Sequence, residues 1–531
     1  MSHIDSNKGN QELQLYTSRC PSIGFALVPV AYRIISNLFL PFFLSFCFRI
    51  CNTPCLSVCG VEMATQRSNT MPPILKGRLM FFDETAWDHA DNILQKWKNT
   101  LFTTESIQRI TALLSHKSSP PFRLFPPQKG SFNMVIRLQF TDKTSSIIRF
   151  PIPGYSIFPE EKVTAEVAVM RFLQNTSIRV PHIHTVNKDP ILGPYIIMEY
   201  IEHDSDLVDA LNTPTLPWKD RPILDPDIPE QRLRFVYGQM GTLLLELTRH
   251  KFTSIGTLAR CNDTWAVKHR PLSINMNELI QVGCVDPDDL PHGPFSSGAG
   301  YMLFLAELHM THLSAQRNDA IEGWEDCRVK YIARCLFRRL ARENRLCSFE
   351  GEFRLFCDDL RPANVLAWKD RIAAAIDWEF TYAAPLEFVY APPCWLLLER
   401  PEYWAGGIDE WERAYGERLG VFLEELERRE NEGEDGLRED RLSGHMRRSW
   451  ESGDFWVSYA ARRSWAFDIV YWARIDRRFF GEGTLEDRVA LLTQEERDGM
   501  DAFIRRKLHE MEVGGLNSRF GSPGSNEIPC E

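Results

Sequence analysis

Two short motifs constrain this chain more than any other feature: FRLFCDDLRPANVL, residues Phe353 to Leu366, and AIDWEF, residues Ala375 to Phe380. In the first, Asp359 and Asn364 lie five residues apart, and Pro362 favours a loop between them. Residues Asn364 to Trp368 read as a short strand, Lys369-Asp370 as a turn, and Arg371 to Ile376 as a second apolar strand. Such a hairpin predicts Asp377 beside Asn364, so three oxygen-bearing side chains converge. Hard oxygen ligands suit magnesium. Phosphoryl transfer asks for this set: a carboxylate, Asp359, to orient an attacking hydroxyl and accept its proton, plus the amide oxygen of Asn364 and the carboxylate of Asp377 to hold Mg²⁺ on the phosphates. Either motif alone would be an ordinary capped turn or strand end; the joint spacing points to chemistry.

The region upstream constrains the same reading. Phe132 to Phe140 and Ser145 to Phe150 read as a β-hairpin around the polar turn Thr141 to Thr144. Just before it, Gly130-Ser131-Phe132-Asn133 offers a small residue where backbone N–H groups can approach a phosphate, with an ordinary turn as the alternative. Val163, Val167, Met170 and Leu173 keep helical period, and Glu166 sits on the same stripe. A carboxylate there wants a cation. Arg149 alternates to the face opposite Ile148 and Phe150, so it meets Glu166 if the helix packs on that face; an unrelated surface pair is the alternative. Tyr195 to Ile201, YIIMEYI, reads as a buried strand entering a polar linker at Glu202-His203-Asp204.

In this order GSFN, IIRF, the Glu166 helix, YIIMEYI, CDDLRPANVL and AIDWEF resemble the aminoglycoside phosphotransferase family, most closely its large fungal branch, over roughly Leu124 to Phe480. The resemblance implies an α+β, two-lobed protein-kinase-like fold: a small antiparallel β-sheet lobe, a hinge near Met198 to Ile201, and a mainly helical large lobe. ATP would sit between them. It further implies that Arg149 contacts the α/β phosphates and pairs with Glu166, that Gly130 and Ser131 belong to the phosphate-side turn, and that backbone atoms around Glu199 and Tyr200 meet the adenine. Asp359 would be the catalytic base, with Asn364 and Asp377 the Mg²⁺ ligands.

The chain departs from that pattern. Cys357 stands where the family has His, and Asp358 replaces a small residue; only Asp359 has Asn at the required offset, so Asp358 is expected to order the loop. Arg149 replaces the usual Lys and keeps a permanent, bidentate charge. Asp377-Trp378-Glu379 replaces DFG, and no APE-like stop follows, which argues against a protein kinase. The expected activity is ATP- and Mg²⁺-dependent phosphorylation of a hydroxyl on an unknown small molecule. A nucleotide-binding pseudokinase without turnover is the alternative, motivated by Cys357, Asp358 and Arg149.

Composition bounds the rest. The 531 residues allow two to four folding units at roughly 100–200 residues each, and 44% hydrophobic with 25% charged residues excludes collagen-like, wholly disordered and multi-span membrane chains. A formal net charge of −11 disfavours nucleic-acid binding and is compatible with a cationic substrate. The 13 cysteines are too sparse for a disulfide scaffold and read as reduced thiols of a cytoplasmic protein. Residues 24–50 are apolar, but Arg33, Pro41 and Arg49 leave a charge-free run of only 15 residues, Ile34 to Phe48. About 20 are needed to span a bilayer. Membrane contact, and with it a membrane-tethered interaction protein, is therefore the weaker reading. Cys47, Cys51, Cys55 and Cys59 recur every four residues, yet Pro54 breaks the helix that would align them as metal ligands. Residues 1–62 are expected to lie outside the fold, as an anchor, a targeting extension or a gene-model extension. Residues 63–123 form an N-terminal helical segment, with Ile107 to Leu114 helical after a Thr103-Thr104 cap; 124–201 form the nucleotide-binding lobe, 202–513 the catalytic lobe, and 514–531 a disordered tail. Phe235 to Leu247, and a stripe of Val457, Ala461, Trp465, Ile469 and Trp472, read as core helices. Glu424 to Arg441 reads as an exposed helix and loop. His182 and His184 have a spacing seen in metal sites but no partner ligand nearby, and read as flanking a strand; Asp286, Asp288 and Asp289 read as a solvated loop. Oligomeric state is not legible.

Overall fold

The computed structural model describes residues 77–115, 119–216, 221–349, 351–432 and 441–515. The calls on residues 1–62, and on the tail beyond Gly515, fall outside them. Helix α1 (Glu84–Leu101) and helix α2 (Thr104–Leu114) each start on a side-chain cap, Asp83 Oδ1 accepting from Ala86 N at 3.0 Å and Thr103 Oγ1 from Ser106 N at 3.2 Å. The chain then enters a six-stranded antiparallel sheet containing β1 (Pro121–Leu124), β2 (Gln128–Lys129), β3 (Asn133–Phe140), β4 (Ser145–Pro151), β5 (Ile183–Asp189) and β6 (Gly193–Glu199), ordered β1-β3-β4-β6-β5 with β2 against β3. Strand β1 begins at Pro121, so the sheet takes in the end of the segment expected to be helical.

The two faces of that sheet follow the period of two. Ile136, Leu138, Ile148, Phe150, Tyr195 and Ile197 pack under α1 and α2 with Leu94, Trp97 and Ile110. The other face carries Ile196 and Met198 against helix α3 (Pro159–Leu173), which Pro159 starts at its first turn. Arg149, paired in register with Val135 and Ile196, lies on this second face.

Beyond the hinge the large lobe is mainly helical. Strand β7 (Ser205–Asp206) leads into α4 (Leu207–Leu211) and α5 (Glu230–Thr248), followed by β8 (Lys251–Phe252), β9 (Thr257–Cys261), β10 (Thr264–His269), α6 (Ile274–Val282), α7 (Gly298–Ala315) and α8 (Trp324–Arg342). Strands β11 (Phe353–Cys357), β12 (Val365–Trp368), β13 (Arg371–Ala375) and β14 (Thr381–Pro385) form two small sheets, β14-β11-β8 and β13-β12-β7. The turn between β12 and β13 uses Lys369 (φ 52°) and Asp370 (φ 59°), the double left-handed geometry that matches strand twist. The later helices include α9 (Leu386–Val389), α10 (Gly407–Glu432), α11 (Leu442–Ser452), α12 (Asp454–Arg462) and α13 (Phe467–Val470). The whole is a two-lobed α+β fold, a small antiparallel-sheet lobe on a mainly helical large one.

Two expectations are corrected. The Glu424 to Arg441 stretch is not simply exposed: α10 packs on α5, where Gly241 admits Leu426, and Glu425, Leu426 and Glu430 are buried. Ser443 Oγ donates to buried Glu430 Oε2 at 2.5 Å; residues 433–440 lie outside the described residues. The Val457-to-Trp472 stripe is buried core, but it is not one helix. The chain breaks at Arg463 to Ala466, where Asn275 Oδ1 accepts from Ser464 N (3.0 Å) and Ser464 Oγ meets His309 Nδ1 (3.0 Å). The fully buried pair Arg334–Asp468 (2.6 Å) then fixes α13 against α8.

Helix α1 spans both lobes. At its start the buried Asp83 carboxylate accepts from Asn318 N (3.0 Å) and Asn318 Nδ2 (2.9 Å), and Asp83 N donates to Val282 O (2.9 Å), all in the large lobe. Near its end Trp97 Nε1 donates to Leu192 O (3.2 Å) in the small lobe.

Candidate active site

A cleft of about 420 Å³ separates the lobes; Arg149, Glu166, Met198, Glu199, Tyr200 and Asp377 are among the residues lining it. Arg149 lies on the buried face of β4 and Glu166 on the inward stripe of α3, with side chains only 6% and 2% exposed, and the two are ion-paired. The pairing expected from alternation is present. Arg149 Nη2 also sits 2.9 Å from Asp377 Oδ1 and 2.9 Å from Glu379 Oε2. Burial works against the guanidinium charge, but Glu166, Asp377 and Glu379 more than compensate. Burial also lifts the Glu166 carboxyl above the usual carboxylate range.

Asp359 and Asn364 are not among the residues lining the cleft; next to Ala363, Ile376 and Asp377, which are, Asn364 folds back on its own loop. Its Nδ2 donates to Asp359 O (2.8 Å) and to Asp359 Oδ2 (2.9 Å), while Arg361 Nε meets Asp359 Oδ1 at 3.2 Å. Pro362 opens the 3₁₀ turn Pro362–Asn364 that makes this geometry. Across the β12–β13 hairpin, Ile376 N donates to Asn364 O at 2.9 Å, which brings the next residue, Asp377, beside Asn364. Asp377 adopts φ 60°, and its side chain remains 35% exposed. Both hydrogen bonds leave from Nδ2, so neither engages the amide oxygen of Asn364. An amide oxygen beside a partly exposed carboxylate is a donor set that fits a hard divalent cation. Among the described residues no group of three or more His, Cys, Asp or Glu side chains could hold a metal.

Burial pushes the Asp359 carboxyl above its ordinary range, with Arg361 and Asn364 opposing. Asp358 faces away: its Oδ1 pairs with Arg462 Nη1 (3.2 Å) and its Oδ2 accepts from Ile274 N (3.3 Å), so it ties the loop to the large lobe, as expected. Cys357 is buried and its thiol is pushed up to about 12 by burial, which makes it an inert packing residue.

Not every expected residue joins the cleft. Gly130 and Ser131 are exposed at the tip between β2 and β3, outside its lining, where Phe125, Gln128 and Val135 stand instead. A Cβ at Gly130 would meet nothing closer than Asn133 O at 3.5 Å, so the turn does not demand glycine. Glu199 and Tyr200 do line the cleft, although their amides already donate to His182 O (2.8 Å) and Ser145 O (3.4 Å).

Sequence reasoning missed three partners. Glu379 Oε2 is 2.5 Å from Lys162 Nζ and accepts from Asn133 Nδ2 at 2.7 Å, while Lys162 Nζ donates to Asn133 Oδ1 at 2.9 Å. Burial drags the Lys162 ammonium below its usual value. Burial likewise opposes the charge on Glu379, but Lys162 and Arg149 win and hold its carboxyl below the usual range. Lys162 stands one turn before Glu166 on the same stripe, which was the available signal.

No family model matches the chain, and no curated protein matches it. Solved structures that align with it include aminoglycoside phosphotransferase APH(4)-Ia, with a TM-score of 0.38 and 13% identity over 76% of this chain and 99% of that one. A thermostable mutant of the same enzyme in ternary complex with AMP-PNP and hygromycin B aligns with a TM-score of 0.37 and 14% identity, over 75% and 98%. The GDP and kanamycin complex of APH(2")-IIIa aligns with a TM-score of 0.36 and 11% identity, over 77% and 99%.

Proposed function

We propose that the protein is an ATP- and Mg²⁺-dependent phosphotransferase acting on a hydroxyl of a small molecule. The observation that carries the reading is the closeness of Asp359, Asn364 and Asp377 at the edge of the cleft, where Asp377 pairs with Arg149 and Arg149 with Glu166. In this reading Asp359 aligns the acceptor hydroxyl and takes its proton, a role helped by a carboxyl more basic than usual. Arg149 meets the nucleotide phosphates, and Glu166 holds it in place. Asn364 and Asp377 would hold Mg²⁺, which when bound neutralises charge on the phosphates. Glu199 and Tyr200 offer the hinge wall for the base, and closure of the lobes excludes water.

The test is ADP release from Mg·ATP by the full chain with pooled alcohols. Asp359→Asn should lower the rate by about 10²–10⁴-fold while calorimetric nucleotide binding stays within a few fold. A specific observation favours a second reading: three carboxylates already surround Arg149, which suits a nucleotide-binding pseudokinase. Nucleotide binding without release above the Asp359→Asn background, across a broad alcohol pool, selects that reading.

A further inference from the structure

Behind the Asp359 loop lies a second cavity of about 70 Å³ whose wall is largely apolar, Leu244, Leu247 and Trp395 among it, with Asp358, Arg462 and Arg463 as its charged residues. That is room for about five water molecules, the size of one small polar group. Two adjacent arginines face it in different ways. Arg462 is committed: its Nη1 pairs with Asp358, its Nε donates to Ser458 O at 3.2 Å, and its guanidinium lies 5.0 Å from both the Phe356 and Phe388 rings. Arg463 is not. It is only 7% exposed, it sits at the break between α12 and α13, and among the described residues its guanidinium has neither an ion pair nor a hydrogen bond.

A second guanidinium stands near Arg463, outside the lining of the cavity itself. Arg400, half-buried, also lacks an ion pair or side-chain hydrogen bond among the described residues, and its strongest charged neighbour is Arg463 itself. Asp358 and Glu278 favour the Arg463 charge from a distance, but no carboxylate among the described residues makes a direct ion pair with it. Asp358 is spent on Arg462 and on Ile274 N, and Glu402 accepts from Tyr459 Oη at 2.6 Å. Burial holds the Glu278 carboxyl above its usual range, although Arg400 and Arg463 pull the other way. Two neighbouring like charges without direct partners are costly, and paired guanidiniums are the side chains best shaped to grip an oxyanion.

We propose that Arg463 and Arg400 form a binding site for an oxyanion, a carboxylate, phosphate or sulfate, carried by the acceptor molecule. The acceptor class rests on the phosphotransferase reading: Cys357, Asp358 and Leu360 wall the cavity and are close sequence neighbours of Asp359, the proposed base. The net charge of −11 belongs to the whole surface; this cavity carries the opposite local sign.

The test separates the site from the reaction. The full chain is titrated calorimetrically with sulfate under saturating Mg·AMP-PNP, which fills the interlobe cleft. Sulfate should bind, and Arg463→Gln should weaken it by about tenfold or more, with Arg463→Lys losing less. In the wild-type chain, sulfate should slow phenylglyoxal modification of Arg400 and Arg463, mapped by peptide mass spectrometry; this arm needs no variant to fold. Absence of sulfate binding, or binding that leaves both arginines unprotected, overturns the site. ADP release is then compared between pools of acidic and of cationic alcohols. Turnover confined to cationic alcohols overturns the acidic acceptor and leaves the phosphotransferase standing. Sulfate protection with no turnover in either pool overturns the phosphotransferase reading and the acceptor role together, leaving a site for a free anion.

Discussion

At the scale of single residues, the cleft is an electrostatic balance in which Lys162 and Glu379 matter as much as the residues that point to chemistry. Removing Lys162 leaves Glu379 buried with less cation than it needs. Lys162→Met should therefore cost about 3–5 kcal/mol of stability in urea unfolding, and adding Glu379→Gln should recover part of that loss. Equal stability of the single and double variants would show that the two groups do not interact. Asp359 sets the expected pH behaviour. A base works only when ionised, and burial raises this carboxyl, so kcat/KM should fall as pH drops through a value above the ordinary carboxylate figure of about 3.9. Arg361 stabilises the ionised form, so Arg361→Met should move that limb to higher pH; a shift to lower pH would contradict the assignment. Asp359, Asn364, Asp377, Arg149 and Glu166 were legible because each sits at a fixed offset within a strand, turn or helix. Lys162 with Glu379 was not, because its partners come from distant parts of the chain and only packing brings them together.

At the scale of elements, local pattern and tertiary context divided the work. The β3–β4 and β12–β13 hairpins were readable from alternation and turn residues, since both are set within a few residues. Lys369 and Asp370 nonetheless hold left-handed backbone that Asn and Gly tolerate better. Lys369→Asn, which keeps the Arg232–Asp370 contact, should stabilise the protein by a few tenths to about 1 kcal/mol in thermal unfolding. The break after α12 was illegible. Val457, Ala461, Trp465 and Trp472 keep their burial through it, so periodicity continues while the helix does not. What stops the helix is remote: Asn275 and His309 on Ser464, and Arg334 on Asp468. Asp468→Ala strands Arg334 in the core and should cost about 3–5 kcal/mol.

At the scale of the whole molecule, acid should loosen the large lobe before it touches the cleft. His309 and His312 on α7 are fully buried, and burial holds both below the usual imidazole value, His312 at about 3. Between about 3 and 6.5 the unfolded chain binds more protons than the folded one. Stability present above pH 6.5 is therefore lost as pH falls, by up to about 1.4 kcal/mol per pH unit for each histidine. Thermal midpoints measured from pH 7.5 to 5 should decline, and His312→Asn should flatten the decline; a midpoint that rises on acidification contradicts it. The anchoring of Asp83 on Asn318 and Val282, with Trp97 on Leu192 at the far end of the same helix, bears on how the halves move. The upper half is not a lid swinging from one strap. It is held at both flanks, by the Met198–Ile201 crossing and by α1, and between them by Lys162 and Asn133 on Glu379, so any widening of the gap must first give up those central bonds.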